Sequence, residues 1–138
     1  MLNWMFEISI DTIISRFIFE RYVRKEIPFL RHDSFSFQKI DNNGTYELST
    51  YDLSNLNLNQ IIELSKTIKS YEKHPIAFAI LNKDEFDSSK FKMIYDNNPE
   101  KHITIRININ NSEENVKNIL KVFSTLIATY FDQLEFLN

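Results

Sequence analysis

Three carboxylates lie within one four-residue segment and are the first candidates for chemistry; the segment is Asp84, Glu85, Phe86 and Asp87. Paired carboxylates act as general acid and base where burial separates their pKa values, and they also bind hard cations. Lysines flank this segment, and it lacks the alternating ligands and the glycine of a calcium loop. We therefore expect a solvated loop that presents its negative charge and Phe86 to a basic protein partner, because aromatic side chains ringed by charge suit protein recognition.

His32 and Asp33 are adjacent, and such a pair supplies two metal ligands in some phosphohydrolases. Those enzymes draw further His and Asp ligands from other helices, whereas this pair follows Pro28 in a predicted loop of a strand-rich chain. Together with the carboxylates of 84–87, the pair defines one alternative function, a hydrolase or metal enzyme. A solvated loop pair is the stronger interpretation.

The segment between residues 16 and 31 is basic, although the whole chain has a net charge of −3. Five basic residues against two glutamates give this segment a charge of +3, which leaves −6 for the rest of the chain. Because aromatic residues lie between the basic ones, nucleic-acid binding is another alternative function. Salt bridges between positions four apart on an exposed helix explain the same pattern without a ligand and are favoured. The basic residues are Arg16, Arg21, Arg24, Lys25 and Arg31.

Missing residue types exclude several classes of enzyme. Gly44 is the only glycine, whereas nucleotide-binding loops and the G-x-S-x-G turn of hydrolases need two or more. The chain has no cysteine, which removes thiol nucleophiles, disulfides and thiolate zinc sites. No serine is singled out by such a turn or by an oxyanion hole. The sequence therefore predicts a protein without catalytic residues, cofactor or metal.

The beginning of the chain predicts a strand followed by a helix. Residues 4–10 alternate apolar and polar side chains, as a half-buried strand does. A helix is then predicted over 11–26 and ends before Pro28. Phe19 and Val23 point away from the centre of its apolar face, so one sheet cannot cover all of its apolar residues. A homodimer through this first helix is the simplest interface that would cover them.

Two β-hairpins are predicted. The alternating runs 34–38 and 46–50 surround an Asn-Gly step, the strongest short signal for a hairpin, and Gly44 serves its turn. The segments 91–95 and 102–110 form the second hairpin around a turn that contains a proline. Each hairpin places two antiparallel strands in the sheet.

Two further helices are predicted. One covers 58–72, with Asn57 as N-cap and Gln60 in the position that completes a capping box. Its inward residues are expected to be Leu58, Ile61, Ile62 and Ile68. The other is capped by Ser112 and continues to Leu137, because its apolar residues form one stripe at helical spacing.

These elements predict one α+β domain over residues 1–138. Residues 76–81 are apolar at every position, which indicates a central strand covered on both faces. The order β-α-β-β-α-β-β-β-α begins like the split β-α-β, or ferredoxin-like, arrangement. We expect a two-layer sandwich with a mixed or antiparallel sheet of about six strands and three helices. No apolar run approaches the roughly 18 residues that span a bilayer, and no signal peptide is evident, so a cytoplasmic location is expected.

The sequence thus favours a non-enzymatic binding protein that inhibits or occludes a protein partner. In size and acidity it is similar in general character to the immunity proteins of bacterial toxin–immunity pairs, although no motif carries that similarity. The implied partner is basic, such as a toxin or nuclease domain, because negative charge around a contact patch steers a basic protein into place. A second contact surface is expected around Arg106, since polar residues alternate with isoleucines along 103–109.

Overall fold

The computed structural model describes residues 12–23, 32–69, 72–97, 99–110 and 114–137. The strands are β1 (Ile14–Ile18), β2 (Gln38–Lys39), β3 (Thr45–Asp52), β4 (Ala77–Ile80), β5 (Lys92–Ile94), β6 (His102–Asn108) and β7 (Gln133–Phe136), and the α-helices are α1 (Leu58–Ser65) and α2 (Val116–Tyr130). The sheet order is β5-β6-β3-β1-β4-β7, with β2 beside β3, and the pairs are antiparallel. The α+β class is confirmed, but the described residues contain two α-helices rather than three, and the antiparallel order departs from a ferredoxin-like start.

Residues 14–18 form the central strand β1, so the helix predicted over 11–26 is wrong there. The strand lies between β3 and β4, and Ser15 pairs with Tyr51 on one side and Ile80 on the other. The helical prediction relied on the spacing of apolar residues, which does not separate helix from strand in a short run. β-Branched and aromatic side chains are typical of strands, and pairing on both sides decides the outcome.

The residues after β1 form a short turn in place of the predicted helix. A 3₁₀ turn covers Glu20–Tyr22, Phe19 is half-buried, and Val23 packs against the core. A homodimer through a helix at this position therefore lacks the element that it requires. The strand predicted over 4–10 and the basic stretch 24–31 lie outside the described residues.

The hairpin predicted over 91–95 and 102–110 is confirmed, and the other is confirmed only around its turn. The run 34–38 is not a strand: its first residues belong to a 3₁₀ turn, His32–Phe35, and the strand is limited to Gln38–Lys39. Alternation misled here because Phe35 is buried in the larger core beside α2 and not in a paired strand.

β2 pairs with β3 around Gly44, whose φ of 84° lies in the region that favours glycine. The Asp41 carboxylate closes this turn by accepting from the backbone N–H groups of Asn43 and Thr45, at 2.8 and 3.3 Å. β5 pairs with β6, and β6 also pairs along seven residues of β3.

The start of α1 follows the prediction and its end does not. The capping box is present, with Asn57 Oδ1 accepting from Gln60 N and Gln60 Oε1 accepting from Asn57 N, both at 2.9 Å. The helix ends at Ser65 rather than Glu72. Ile61 is buried as expected, whereas Leu58 is 53% exposed. Because α1 has only eight residues, a narrow apolar stripe that includes Ile61 is enough to cover the sheet beneath it, and Leu58 lies outside that stripe.

The last predicted helix is two elements. α2 ends at Tyr130, and the chain then forms β7, whose Leu134 pairs with Ala79 of β4. Leu134 and Leu137 continue the apolar stripe of α2 at helical spacing. The backbone of β7 nevertheless forms a strand, because its N–H and C=O groups pair with β4. Ser112, the predicted cap, lies outside the described residues, and Asn115 occupies the N-cap position.

Alternate residues of the central strands face two separate cores. Ile14 and Ile18 of β1 face the larger core, which α2 covers, whereas Phe17 belongs to a smaller core with Ile61 of α1. The two helices therefore lie on opposite faces of the sheet, and the predicted two-layer arrangement is replaced by three layers. Neither described helix combines the length and the apolar character needed to cross a membrane.

Candidate protein-binding site

The loop after β4 lies against the junction between α2 and β7. Asn82 N donates to the Tyr130 carbonyl at 2.7 Å, and Asn82 Nδ2 donates to Asp132 Oδ2 at 3.0 Å. Asn82 Oδ1 accepts from the backbone N–H of Asp84 at 3.1 Å. These bonds fix the first half of the loop to the end of the sheet at which β7 begins.

The ring of Phe86 holds the same loop on α2. It is half-buried against the larger core, and its centroid lies 5.6 Å from the rings of Phe91 and Tyr130. Aromatic contacts at this distance stabilise beyond the area that they bury. The loop therefore exposes Asp84 and Glu85 more fully than it exposes Phe86.

The carboxylates of the loop differ in how they are held. Asp84 and Glu85 are exposed. Asp87 Oδ1 accepts from Ser89 Oγ at 2.6 Å and from Ser89 N at 3.0 Å, and these hydrogen bonds lower the pKa of Asp87 below its usual value. Asp87 therefore stays charged further into acid than a free aspartate.

Carboxylates from a distant segment extend this negative region. We call it the acidic corner and define it by Asp84, Glu85, Asp87, Asp132 and Glu135. The segments 82–90 and 132–137 hold these five carboxylates and two lysines, so their net charge of −3 equals that of the whole chain. The exposed Asp132 and Glu135 were missed because the sequence placed them in a helix, and no local signal connects them with a loop some 50 residues earlier.

Arg106, the other predicted partner-binding residue, lies away from the acidic corner. Its Nε and Nη2 atoms contact Glu47 Oε2 at 2.7 and 2.6 Å, and both side chains are half-buried. Four strand spacings of about 4.8 Å separate β6 from β7, roughly 19 Å across the sheet. Arg106 alternates with Ile105 and Ile107 of the larger core, so its side chain faces the opposite side of the sheet from the loop that packs on that core through Phe86. The structure therefore does not bring the two predicted groups into one site, and the charge of Arg106 is already paired.

Arg16, the first residue of the alternative nucleic-acid patch, is tied to the protein backbone. Its Nε donates to the Ser34 carbonyl at 3.0 Å and its Nη1 donates to the Ser49 carbonyl at 2.8 Å. The Arg16 side chain is half-buried, and its burial lowers the pKa of Arg16 to about 10. Because Arg16 lies in a strand and not a helix, the expected helical pairing with Glu20 does not arise.

The rest of that basic patch is only partly described. Arg21 is exposed, and its guanidinium carbon lies 5.2 Å from the ring centre of Phe19 and 4.5 Å from that of Tyr22. These are cation–π distances, so Arg21 already has aromatic partners within its own turn. Arg24, Lys25 and Arg31 lie outside the described residues.

The proposed metal pair is placed in a 3₁₀ turn, His32–Phe35, that packs beside α2. Asp33 lines a cavity of about 220 Å³ together with Lys117 and Lys121. Lysines compete with a cation for a carboxylate. Over the described part of the chain, no three His, Cys, Asp or Glu side chains are grouped closely enough to hold a metal ion, and that includes the acidic corner.

One polar cluster was not found from the sequence. His102 Nδ1 lies 2.7 Å from Asp96 Oδ1, Thr104 Oγ1 donates to Asp96 Oδ2 at 2.8 Å, and the Tyr51 ring packs edge-on against the imidazole at 5.4 Å. Burial is the main reason that the pKa of Tyr51 is raised. The cluster joins the turn between β5 and β6 to the strand that follows it. A short Asp-to-Thr spacing is common, so no sequence signal distinguished it.

Comparison with protein-family models, curated proteins and solved structures finds no match to this chain.

Proposed function

We propose that this protein is a non-enzymatic, small acidic binding protein that occludes a basic protein partner, as an immunity protein neutralises a bacterial toxin. The partner contacts the acidic corner. The single observation that supports this proposal most is the hydrogen bond between Asn82 and Asp132, which joins the carboxylate-bearing loop 82–90 to the start of a second carboxylate-bearing segment, 132–137.

The rigidity of the acidic corner supports the same proposal. Asn82 bonds across to Asp132 and Tyr130, and the Phe86 ring packs on the larger core, so the loop is held before a partner arrives. A surface that is already ordered loses less conformational entropy on binding. Charged groups held in this way favour both fast association and selection of a partner of opposite charge.

The nucleic-acid alternative has weaker support in the described residues. Arg16 is engaged with two carbonyls and Arg21 with two rings, so neither offers an unengaged charge to a phosphate. Fluorescence anisotropy with single-stranded and double-stranded nucleic acid at about 50 mM salt tests it, because phosphate contacts are strongest at low salt. We expect no binding, and tight binding that weakens steeply with salt would favour that alternative.

Affinity capture from the native host, followed by mass spectrometry, tests the proposed function. The full chain is compared with a variant carrying Asp84→Lys, Glu85→Lys and Asp87→Lys. A matched control carries the same charge change at three exposed glutamates elsewhere, Glu63→Lys, Glu72→Lys and Glu100→Lys.

We expect the wild-type chain and the control to retain one stoichiometric basic protein that the loop variant loses. Equal capture by all three chains would remove the acidic corner from the interface. Elemental analysis of protein purified without chelator should show no stoichiometric metal, and a bound metal would support the metal-enzyme alternative instead.

A further inference from the structure

We propose that β7 is the docking edge for the partner, which adds an extended segment bearing lysine or arginine on alternate residues as a further strand of the sheet. This inference rests on the proposed function, because it specifies how a basic partner would engage the acidic corner. It concerns the backbone of β7, whereas the proposed function concerns only the charges.

The hydrogen-bond register leaves two residues of β7 facing outward. Leu137 N donates to the Ile76 carbonyl at 2.9 Å. Because hydrogen-bonded pairs alternate in an antiparallel ladder, Glu135 also directs its backbone toward β4, whereas Leu134 and Phe136 direct theirs away from it. Among the described residues, β7 ends the sheet on this side. Two N–H groups and two carbonyls are thus placed for another strand.

The side chains around this edge specify a basic segment. Glu135 is exposed in the middle of β7, and Asp132 lies just before the strand begins. A strand added beside β7 places one of its side chains next to Glu135, where an opposite charge stabilises the pair and a like charge destabilises it. Phe136 is 44% exposed and provides an apolar contact beside the charges.

A second copy of this chain fits the edge poorly. Pairing β7 with β7 would bring two sets of the same carboxylates together, including Glu135 and Asp132 of each copy. The other end of the sheet also fits poorly, because β5 has three residues and exposes Lys92. Charge therefore favours a basic strand from another protein at β7.

Nuclear magnetic resonance of the full chain at about 50 mM salt tests the inference. The probe is an end-blocked six-residue peptide of alternating lysine and valine. One control peptide has glutamate in place of lysine. A second keeps every lysine but carries N-methyl groups on the residues that would bond to β7, so it has the same charge and cannot pair.

We expect the lysine peptide to slow exchange of the Leu134 and Phe136 amides by about tenfold or more at saturation, because hydrogen-bonded amides exchange only after local opening. The N-methylated and glutamate peptides should give no such protection. If both lysine peptides bind at the acidic corner without protecting these amides, strand addition is refuted while the proposed function stands. If neither lysine peptide binds, both are contradicted.

Two pairs of variants separate the contribution of the β7 backbone to peptide binding from that of the β7 side chains. Phe136→Pro removes one outward N–H, and Phe136→Ala controls for the lost ring, since proline is tolerated where an edge strand faces away from its neighbour. We expect at least fivefold weaker peptide binding for the proline variant than for the alanine variant. Should the proline variant fail to fold, Glu135→Lys is compared with Glu63→Lys, and only the former should weaken binding. Equal affinity within the folded pair would overturn the inference.

Discussion

Replacing Arg16 with leucine separates a structural arginine from a nucleic-acid contact. In the wild-type chain the guanidinium joins β1 to the carbonyls of Ser34 and Ser49, at 3.0 and 2.8 Å. Arg16→Leu keeps an apolar stem of similar length and removes both hydrogen bonds. The effect on the free energy of unfolding therefore depends on what becomes of the two carbonyls.

The two acceptors are not equally accessible to water. Ser34 is buried at 2% exposure, so loss of the charged donor to its carbonyl costs about 1–3 kcal/mol. Ser49 is exposed, and its carbonyl can accept from water at a cost below about 1 kcal/mol. Removing the guanidinium also removes the cost of holding its charge partly out of water, which offsets part of the cost of the two lost hydrogen bonds. We expect a net loss of about 2 kcal/mol, or roughly 7 °C in Tm at about 2.1 cal/mol/K of unfolding entropy per residue.

Urea unfolding followed by circular dichroism measures this loss, with Arg21→Leu as the matched control. Arg21 is exposed, and interactions of an exposed charge contribute little to stability, so its loss should cost less than about 1 kcal/mol. The m-values of both variants should equal that of the wild-type chain, because the same surface is exposed on unfolding. If the two variants are equally stable within about 0.5 kcal/mol, the structural role of Arg16 is refuted.

Four other substitutions test the fold. Ser15 Oγ is buried without a hydrogen-bond partner among the described residues, so Ser15→Ala should leave stability unchanged or raise it by up to about 1 kcal/mol in urea unfolding. Thr50→Val removes a buried 2.7 Å hydrogen bond to a carbonyl and should cost about 1–2 kcal/mol in the same assay. Gly44→Ala places a side chain at a φ of 84° and should cost about 1–2 kcal/mol by the same assay. Burial and the bond to Asp52 raise the pKa of Tyr95 to about 12, so the folded state holds this proton more tightly than the unfolded state. Stability should therefore fall as the pH rises from about 10 to 12, and alkaline titration of Tyr95→Phe should show a smaller fall.

Local signals predicted the elements that depend on local contacts. The Asn-Gly step fixed the first hairpin, and Asn57 with Gln60 fixed the start of α1, because each of these structures is closed by residues at most four positions apart. β1 and β7 were mistaken for helix because their identity depends on β4, which pairs with both of them. Apolar residues at helical spacing match a strand equally well when the run is only five residues long.

Only part of the candidate site was predicted, because the rest depends on contacts between segments that are far apart in the sequence. The charges of 84–87 are evident in the sequence, but their contact with Asp132 exists only because β7 pairs with β4. The placement of Phe86 on α2 likewise depends on packing and not on sequence spacing. Arg16 looked like part of a basic patch, and its role became clear only when β1 brought it beside two carbonyls.

The association rate of the captured partner, measured at about 50 and 300 mM salt, tests the central claim that the acidic corner binds a basic protein. For the variant with Asp84, Glu85 and Asp87 all changed to lysine, we expect association to be roughly 10- to 100-fold slower than for the wild-type chain at the lower salt, with the difference shrinking at the higher salt as screening increases. The control with Glu63, Glu72 and Glu100 changed to lysine should differ far less. Equal rates for the loop variant and the wild-type chain at both salt concentrations would contradict the account.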